Sequence, residues 1–201
     1  MCKDNKTYTR SKKSVENAKA AENWRPTCVF GILDTPKGNE IAAEMMQWLA
    51  PIYNVIEVRH DGSQFELPAL LRAQFESCER GEPVLYIHTR GAVNEWRTTI
   101  PTRKMWAEEF GRQWRKYFML SWSPEPMVLC PFVDYDRETR YNGFVANAAA
   151  WDMLELLPTT DRHDYERLWC KHPECNVLGL LIHREDWAIK DIRKYLYRNY
   201  E

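Results

Sequence analysis

The chain has 201 residues, 44% of them hydrophobic, and a formal net charge of -1. That length suits one domain with its own core, and the balanced charge gives no reason to expect a nucleic-acid partner. No apolar run approaches the roughly 20 residues of a membrane-spanning helix. The lysines near the N-terminus have no apolar segment behind them, so they do not read as a secretory signal, and a cytoplasmic location is expected.

Six cysteines (Cys2, Cys28, Cys78, Cys130, Cys170, Cys175) are scattered through the sequence, which in a chain of this length reads as reduced thiols. Nine tryptophans and ten tyrosines make the chain rich in aromatics. Packing is their ordinary role, with stacking on sugars or bases as the alternative.

Residues 1–23 are polar and weakly periodic, and read as a tail. "TCVFGILD" is an apolar strand ending at Asp34, followed by the turn "TPKGNE". "NEIAAEMMQWLAPIY" has helical spacing at Ile41, Met45, Trp48 and Leu49 until Pro51 stops it. "NVIEVRH" is a second strand closed by Asp61-Gly62, and "ELPALLRAQFESCERG" a second helix with Gly81 at its end. "PVLYIHT" is a third strand.

"TRKMWAEEFGRQWRKYFML" predicts one long amphipathic helix with Met105, Trp106, Phe110, Trp114 and Phe118 inward. A fourth strand, "MVLCPFV", runs directly into Asp134-Tyr135-Asp136. The helix "NAAAWDMLELLP", a short helix over "HDYERLWC", a last strand "NVLGLLI" and a closing helix "EDWAIKDIRKYLYRNY" complete the chain. Strands that are continuous apolar runs, alternating with helices, predict a single α/β domain: a mostly parallel sheet covered by helices on both faces.

In such sheets ligands bind beyond the carboxyl ends of the strands. Asp34, the His88-Thr89-Arg90-Gly91 segment and the Asp134/Asp136 pair all fall at strand ends of that kind. Two carboxylates two residues apart can hold a magnesium or manganese ion that also binds phosphate oxygens, or can mark an exposed turn. Gly91 permits close approach of a ligand to the backbone. Arg90 can bond two oxygens of a diphosphate, and His88 a phosphate, a sugar hydroxyl or a backbone carbonyl.

Asn142-Gly143 marks a tight turn before a run of small residues. His163, Cys170, His172 and Cys175 fit no standard four-ligand zinc spacing. Asp164 and Glu166 are candidate general bases for a hydroxyl, or acidic residues favoured in a first helical turn.

Taken in order, "VLYIHTRGA", "EWR…MWAEEF", "YNGFVANAAAWDML" and "YERLW…NVLGLL" resemble bacterial and phage-borne glycosyltransferase-like proteins. The resemblance covers roughly 83–182 and implies a nucleotide-sugar-binding fold of the GT-A type, Rossmann-like in outline, over residues 24–201. Carried onto this chain, His88, Thr89, Arg90 and Gly91 match a His-Thr-Lys-Gly segment, with arginine for lysine. Tyr141, Asn142 and Gly143 match the turn before the small-residue helix, and Glu166 matches a later acidic position.

The implied activity is transfer of a sugar from a nucleotide-diphosphate donor to a glycan or other hydroxyl acceptor. Asp34 would border the nucleoside. Arg90 and a divalent cation (manganese or magnesium) on Asp134 and Asp136 would neutralise the leaving diphosphate, and Glu166 or Asp164 would take the acceptor proton. The alternative is a catalytically silent domain of the same kind that binds a glycan, a nucleotide or a protein partner.

Overall fold

A computed structural model describes residues 24–89, 99–133, 143–165, 167–183 and 198–199. The apolar runs become the strands β1 (Thr27–Leu33), β2 (Asn54–His60), β3 (Val84–His88), β4 (Met127–Val133) and β6 (Asn176–His183), with a short β5 (Phe144–Ala146). They form one sheet in the order β2-β1-β3-β5-β4-β6. β1 pairs in parallel with β2 and β3, and β4 with β6. β5 runs antiparallel to both of its neighbours, β3 and β4.

The sheet is therefore mixed. Five strands share one direction, as the apolar runs predict, while the three-residue β5 is too short to show a period of its own. It falls where the sequence reading placed only a turn leading into a helix. Asn147 follows it, buried, and fixes it: its amide donates to the Ser123 and Glu125 carbonyls at 2.9 and 2.8 Å, and its Oδ1 accepts from Met127 N at 3.1 Å. Pro131 falls inside β4, next to an edge strand. It has no N–H to give, and the register with β6 slips between Cys130 and Phe132.

Helix α1 (Pro36–Leu49) begins three residues earlier than its apolar spacing predicts. Thr35 caps it, its hydroxyl accepting the Gly38 N–H at 3.0 Å, and Pro36 fits the first turn, where no N–H is needed. Ile41, Met45 and Leu49 turn one stripe of it to the sheet. Helix α2 (Leu67–Arg80) starts with Pro68 in its first turn and stops at Gly81, whose φ of 65° is the left-handed conformation that ends helices.

The long helix expected over 102–120 is instead three pieces. Helix α3 (Thr99–Trp106) passes into a π-helical turn (Ala107–Arg112), and α4 (Trp114–Ser121) follows after Gln113. Glu109, Phe110 and Gly111 are all buried there, more than one face of a regular helix can turn inward consecutively. The wider turn accommodates them, with the Tyr117 hydroxyl donating to Glu109 at 2.8 Å.

The helix expected over 147–158 is only one turn long, α5 (Ala148–Asp152). "HDYERLWC" forms two 3₁₀ turns, Arg162–Tyr165 and Leu168–Lys171, with no α-helix. The closing helix lies almost wholly outside the described residues, as does the tail at 1–23.

Alternation along the strands divides the core in two. Cys28, Phe30, Ile32, Leu85, Ile87, Leu129 and Val145 meet α1, α3, the π turn and α4 on one face. Val29, Val84, Tyr86, Val128, Phe144 and Ala146 meet α2, α5, Tyr165 and Trp169 on the other. On that second face Trp169 meets both Phe144 and Trp151 edge-on, with the Phe144 and Trp169 rings 5.5 Å apart at 89°. No helix among the described residues is long and apolar enough to cross a membrane.

Candidate functional site at the carboxyl edge of the sheet

Because five strands run one way and β5 the other, a single rim collects the carboxyl ends of β1, β2, β3, β4 and β6 and the amino end of β5. Asp34, His88, Thr89 and Gly143 all sit there. Arg90, Gly91, Asp134, Asp136, Asn142 and Glu166 lie outside the described residues. β4 ends at Val133, one residue before Asp134 in the chain.

Each described residue has a definite task. Asp34 is exposed, 3.8 Å from Arg59, whose guanidinium also bonds Asn39 and Glu57. Thr89 is buried and ties β3 to β1: its N–H donates to Gly31 O at 2.8 Å and its Oγ1 accepts from Leu33 N at 3.0 Å. Gly143 lies against the Trp106 indole, where a Cβ would stand 2.7 Å from Nε1. Asp164 stands in the first 3₁₀ turn and accepts the Thr159 hydroxyl, so its carboxylate is already engaged within its own loop.

His88 leads to a group that sequence reading did not find. Its Nε2 lies 3.5 Å from Glu66 Oε1, and both side chains are only partly exposed, at 13% and 21%. Glu66 immediately precedes α2 and uses no side-chain bond to cap it. Gly31 explains the approach. A Cβ there would stand 3.0 Å from that of Ala69 and 3.4 Å from that of His88, so a bare backbone lets α2 settle on the sheet and brings Glu66 to His88.

His60, the last residue of β2, and the tyrosines Tyr86 and Tyr165 share the field of Glu66. Burial pushes the Tyr86 hydroxyl well above its ordinary pKa, and the Glu66 carboxylate adds to the rise. Burial also raises Tyr165, with Glu66 and Asp164 contributing in the same direction. Burial lowers His60, against the opposing pull of Glu66 and Asp61. The His88 ring stacks on Tyr86 at 6.3 Å and 15°, and meets Trp106 edge-on at 5.7 Å.

The Tyr86 hydroxyl is buried and bonds to the Glu66 side chain, which holds its proton in place. Among the described residues, His60 Nδ1 and Trp106 Nε1 are buried without a hydrogen-bond partner, a condition that costs about 1–3 kcal/mol for each such group. One signal was available in the sequence: "NVIEVRH" and "PVLYIHT" both end their apolar runs in histidine, and parallel strands put such ends together.

Electrostatically the rim is two-sided. The N-termini of α1 and α2 point their partial positive charge toward it, while Asp34, Asp61 and Glu66 carry negative charge. Among the described residues no three His, Cys, Asp or Glu side chains are grouped to hold a metal ion.

Fold and rim together define an α/β protein with a polar, aromatic-lined sheet edge. No family model, curated protein or solved structure matches the chain.

Proposed function

We propose that the chain has a GT-A-type fold and transfers a sugar from a nucleotide-diphosphate donor to a hydroxyl acceptor with the help of a divalent cation. The observation that carries this reading is the common rim: Asp34, His88, Thr89 and Gly143 come from separate segments to one edge. An antiparallel strand inside the sheet sets the chain apart from the all-parallel dinucleotide-binding order and is compatible with the GT-A type. The α1 N-terminus at the same edge favours an anionic diphosphate.

In this reading Asp34 borders the nucleoside, and Arg90 with an ion on Asp134 and Asp136 balances the leaving diphosphate. Glu166 takes the acceptor proton, a step worth roughly 10²–10⁴-fold in rate. Asp164 is the weaker choice for that base because Thr159 already occupies its carboxylate. The same engagement favours a second reading, a catalytically silent domain that binds a glycan, a nucleotide or a protein partner.

A thermal-shift series with nucleotide-diphosphate sugars, with and without Mn²⁺, separates the two. Metal-dependent stabilisation by one donor, lost in Asp136→Asn, supports the transferase. Stabilisation by no nucleotide sugar overturns it in favour of the silent domain.

A further inference from the structure

We propose that the outer face of α4, with the tryptophans beside it, seats the protein on an anionic lipid surface. This goes beyond the transfer reading, since it uses the opposite edge of the sheet and needs neither donor nor metal ion.

Helical spacing sets up the face. α4 buries Tyr117, Phe118 and Ser121, which leaves Arg115, Lys116, Met119 and Leu120 outside. Single apolar residues are common on a surface, but here two large ones adjoin, Met119 67% and Leu120 50% exposed. Residues four apart share a helix face, so Arg115 stands beside Met119 and Lys116 beside Leu120. The Lys116 ammonium donates to the Leu180 carbonyl at 3.1 Å, and Leu178, two residues back in β6, is a further exposed apolar residue.

Aromatic side chains flank the helix. Trp24, Trp114 and Trp122 are all half-buried. The Trp24 ring lies 6.0 Å from those of Trp114 and Phe118 and 6.3 Å from that of Trp122. Trp24 shortly precedes β1 and Trp122 shortly precedes β4, so the cluster belongs to the amino edge of the sheet. Tryptophan has an apolar body and one polar N–H, which is why it gathers where lipid meets water.

Charge selects anionic lipid as the occupant. α4 contains no Asp or Glu, and Arg115 lies over the Trp114 ring at 4.7 Å. Arg112, in the turn before it, and Arg25, next to Trp24, are exposed as well. Against these four cations stand Glu108, bonded to Arg112 at 3.0 Å, and Glu125. Residues 1–23, which lead into Trp24, add six Lys or Arg against three Asp or Glu. Firm attachment to lipid takes an apolar element together with a basic one, and this edge combines them. The other exposed apolar pair, Leu71 and Phe75 on α2, differs: its neighbours Arg72 and Arg80 are both bound to Glu76.

The test is co-sedimentation of the full chain with vesicles of phosphatidylcholine, alone or mixed with phosphatidylserine. Binding to the mixed vesicles that weakens with salt and is missing from the neutral ones supports the proposal. Met119→Ser with Leu120→Ser should weaken it roughly tenfold or more. Arg115→Gln with Lys116→Gln should weaken it roughly 20-fold. Leu71→Ser with Phe75→Ser should leave it unchanged, and urea midpoints check that each variant is folded.

No binding to the mixed vesicles, equal binding to neutral ones, or unchanged affinity in the Met119 and Leu120 variant would overturn the proposal. So would an equal loss from the α2 pair. Binding to polyglutamate but not to the mixed vesicles would also overturn it and assign the face to an acidic protein partner.

Discussion

Replacing Tyr86 by phenylalanine removes one hydroxyl from the interior and leaves the ring contacts with Phe144 and His88 in place. In most proteins deleting a buried hydroxyl is harmful because it strands a partner. Here the partner is the Glu66 side chain, which is only partly exposed. Losing that bond should cost about 0.5–1.5 kcal/mol, the net worth of a typical intramolecular hydrogen bond.

For a domain of this length each kcal/mol moves the melting temperature by about 2–4 °C. Urea unfolding should therefore show a lower midpoint at unchanged slope. A midpoint at or above that of wild type would refute the reasoning, since it requires that the hydroxyl contribute no bond to the folded chain.

Other consequences are as direct. Gly38→Ala would put a Cβ 1.9 Å from the Leu33 carbonyl oxygen, which cannot yield without moving β1, so the variant should lose about 3 kcal/mol or more or fail to fold, as read by urea titration. Gly31→Ala should cost less, about 1–3 kcal/mol, but should shift the His88 ring resonances because the new methyl pushes between α2 and the sheet. A Gly31→Ala spectrum identical to wild type would count against the account of how Glu66 is placed. Burial holds the folded-state pKa of His60 below its ordinary value near 6.5, so the unfolded chain binds the proton more readily. Its contribution to stability is complete above that ordinary value and falls away as pH drops from there toward the folded pKa. His60→Gln should flatten that part of the stability–pH curve, and an unchanged slope would show that His60 is not its source.

The strands and the first two helices were legible because apolar runs and helical spacing are local signals. Ile41, Met45 and Leu49 read as one stripe in the sequence and form one in the structure. β5 was not legible: three residues cannot display a period, and its place depends on Asn147 bonding to residues some twenty positions back. The π turn was also hidden, since a regular helix accommodates Trp106 and Phe110 equally well. It takes the burial of Glu109 and Gly111 beside Phe110 to require a wider turn.

The candidate site divides along the same line. Strand ends mark themselves in sequence, so the place of Asp34, His88 and Thr89 at the rim was legible, although Thr89 serves to join β1 to β3. Arg90, Asp134, Asp136 and Glu166 lie outside the described residues and remain expectations of the sequence.

Glu66 was invisible because its importance is non-local. In the sequence it is an acidic residue before Leu67-Pro68, as ordinary at a helix start as any. What singles it out is Gly31, far back in β1, whose missing side chain sets the height of α2 above the sheet. Any larger residue there would lift the helix and separate Glu66 from His88. A carboxylate held by the absence of an atom elsewhere leaves no motif to match, yet its position is fixed by packing as firmly as that of a core residue. The rim's chemistry therefore depends on a backbone contact between β1 and α2 as much as on the polar side chains that line it.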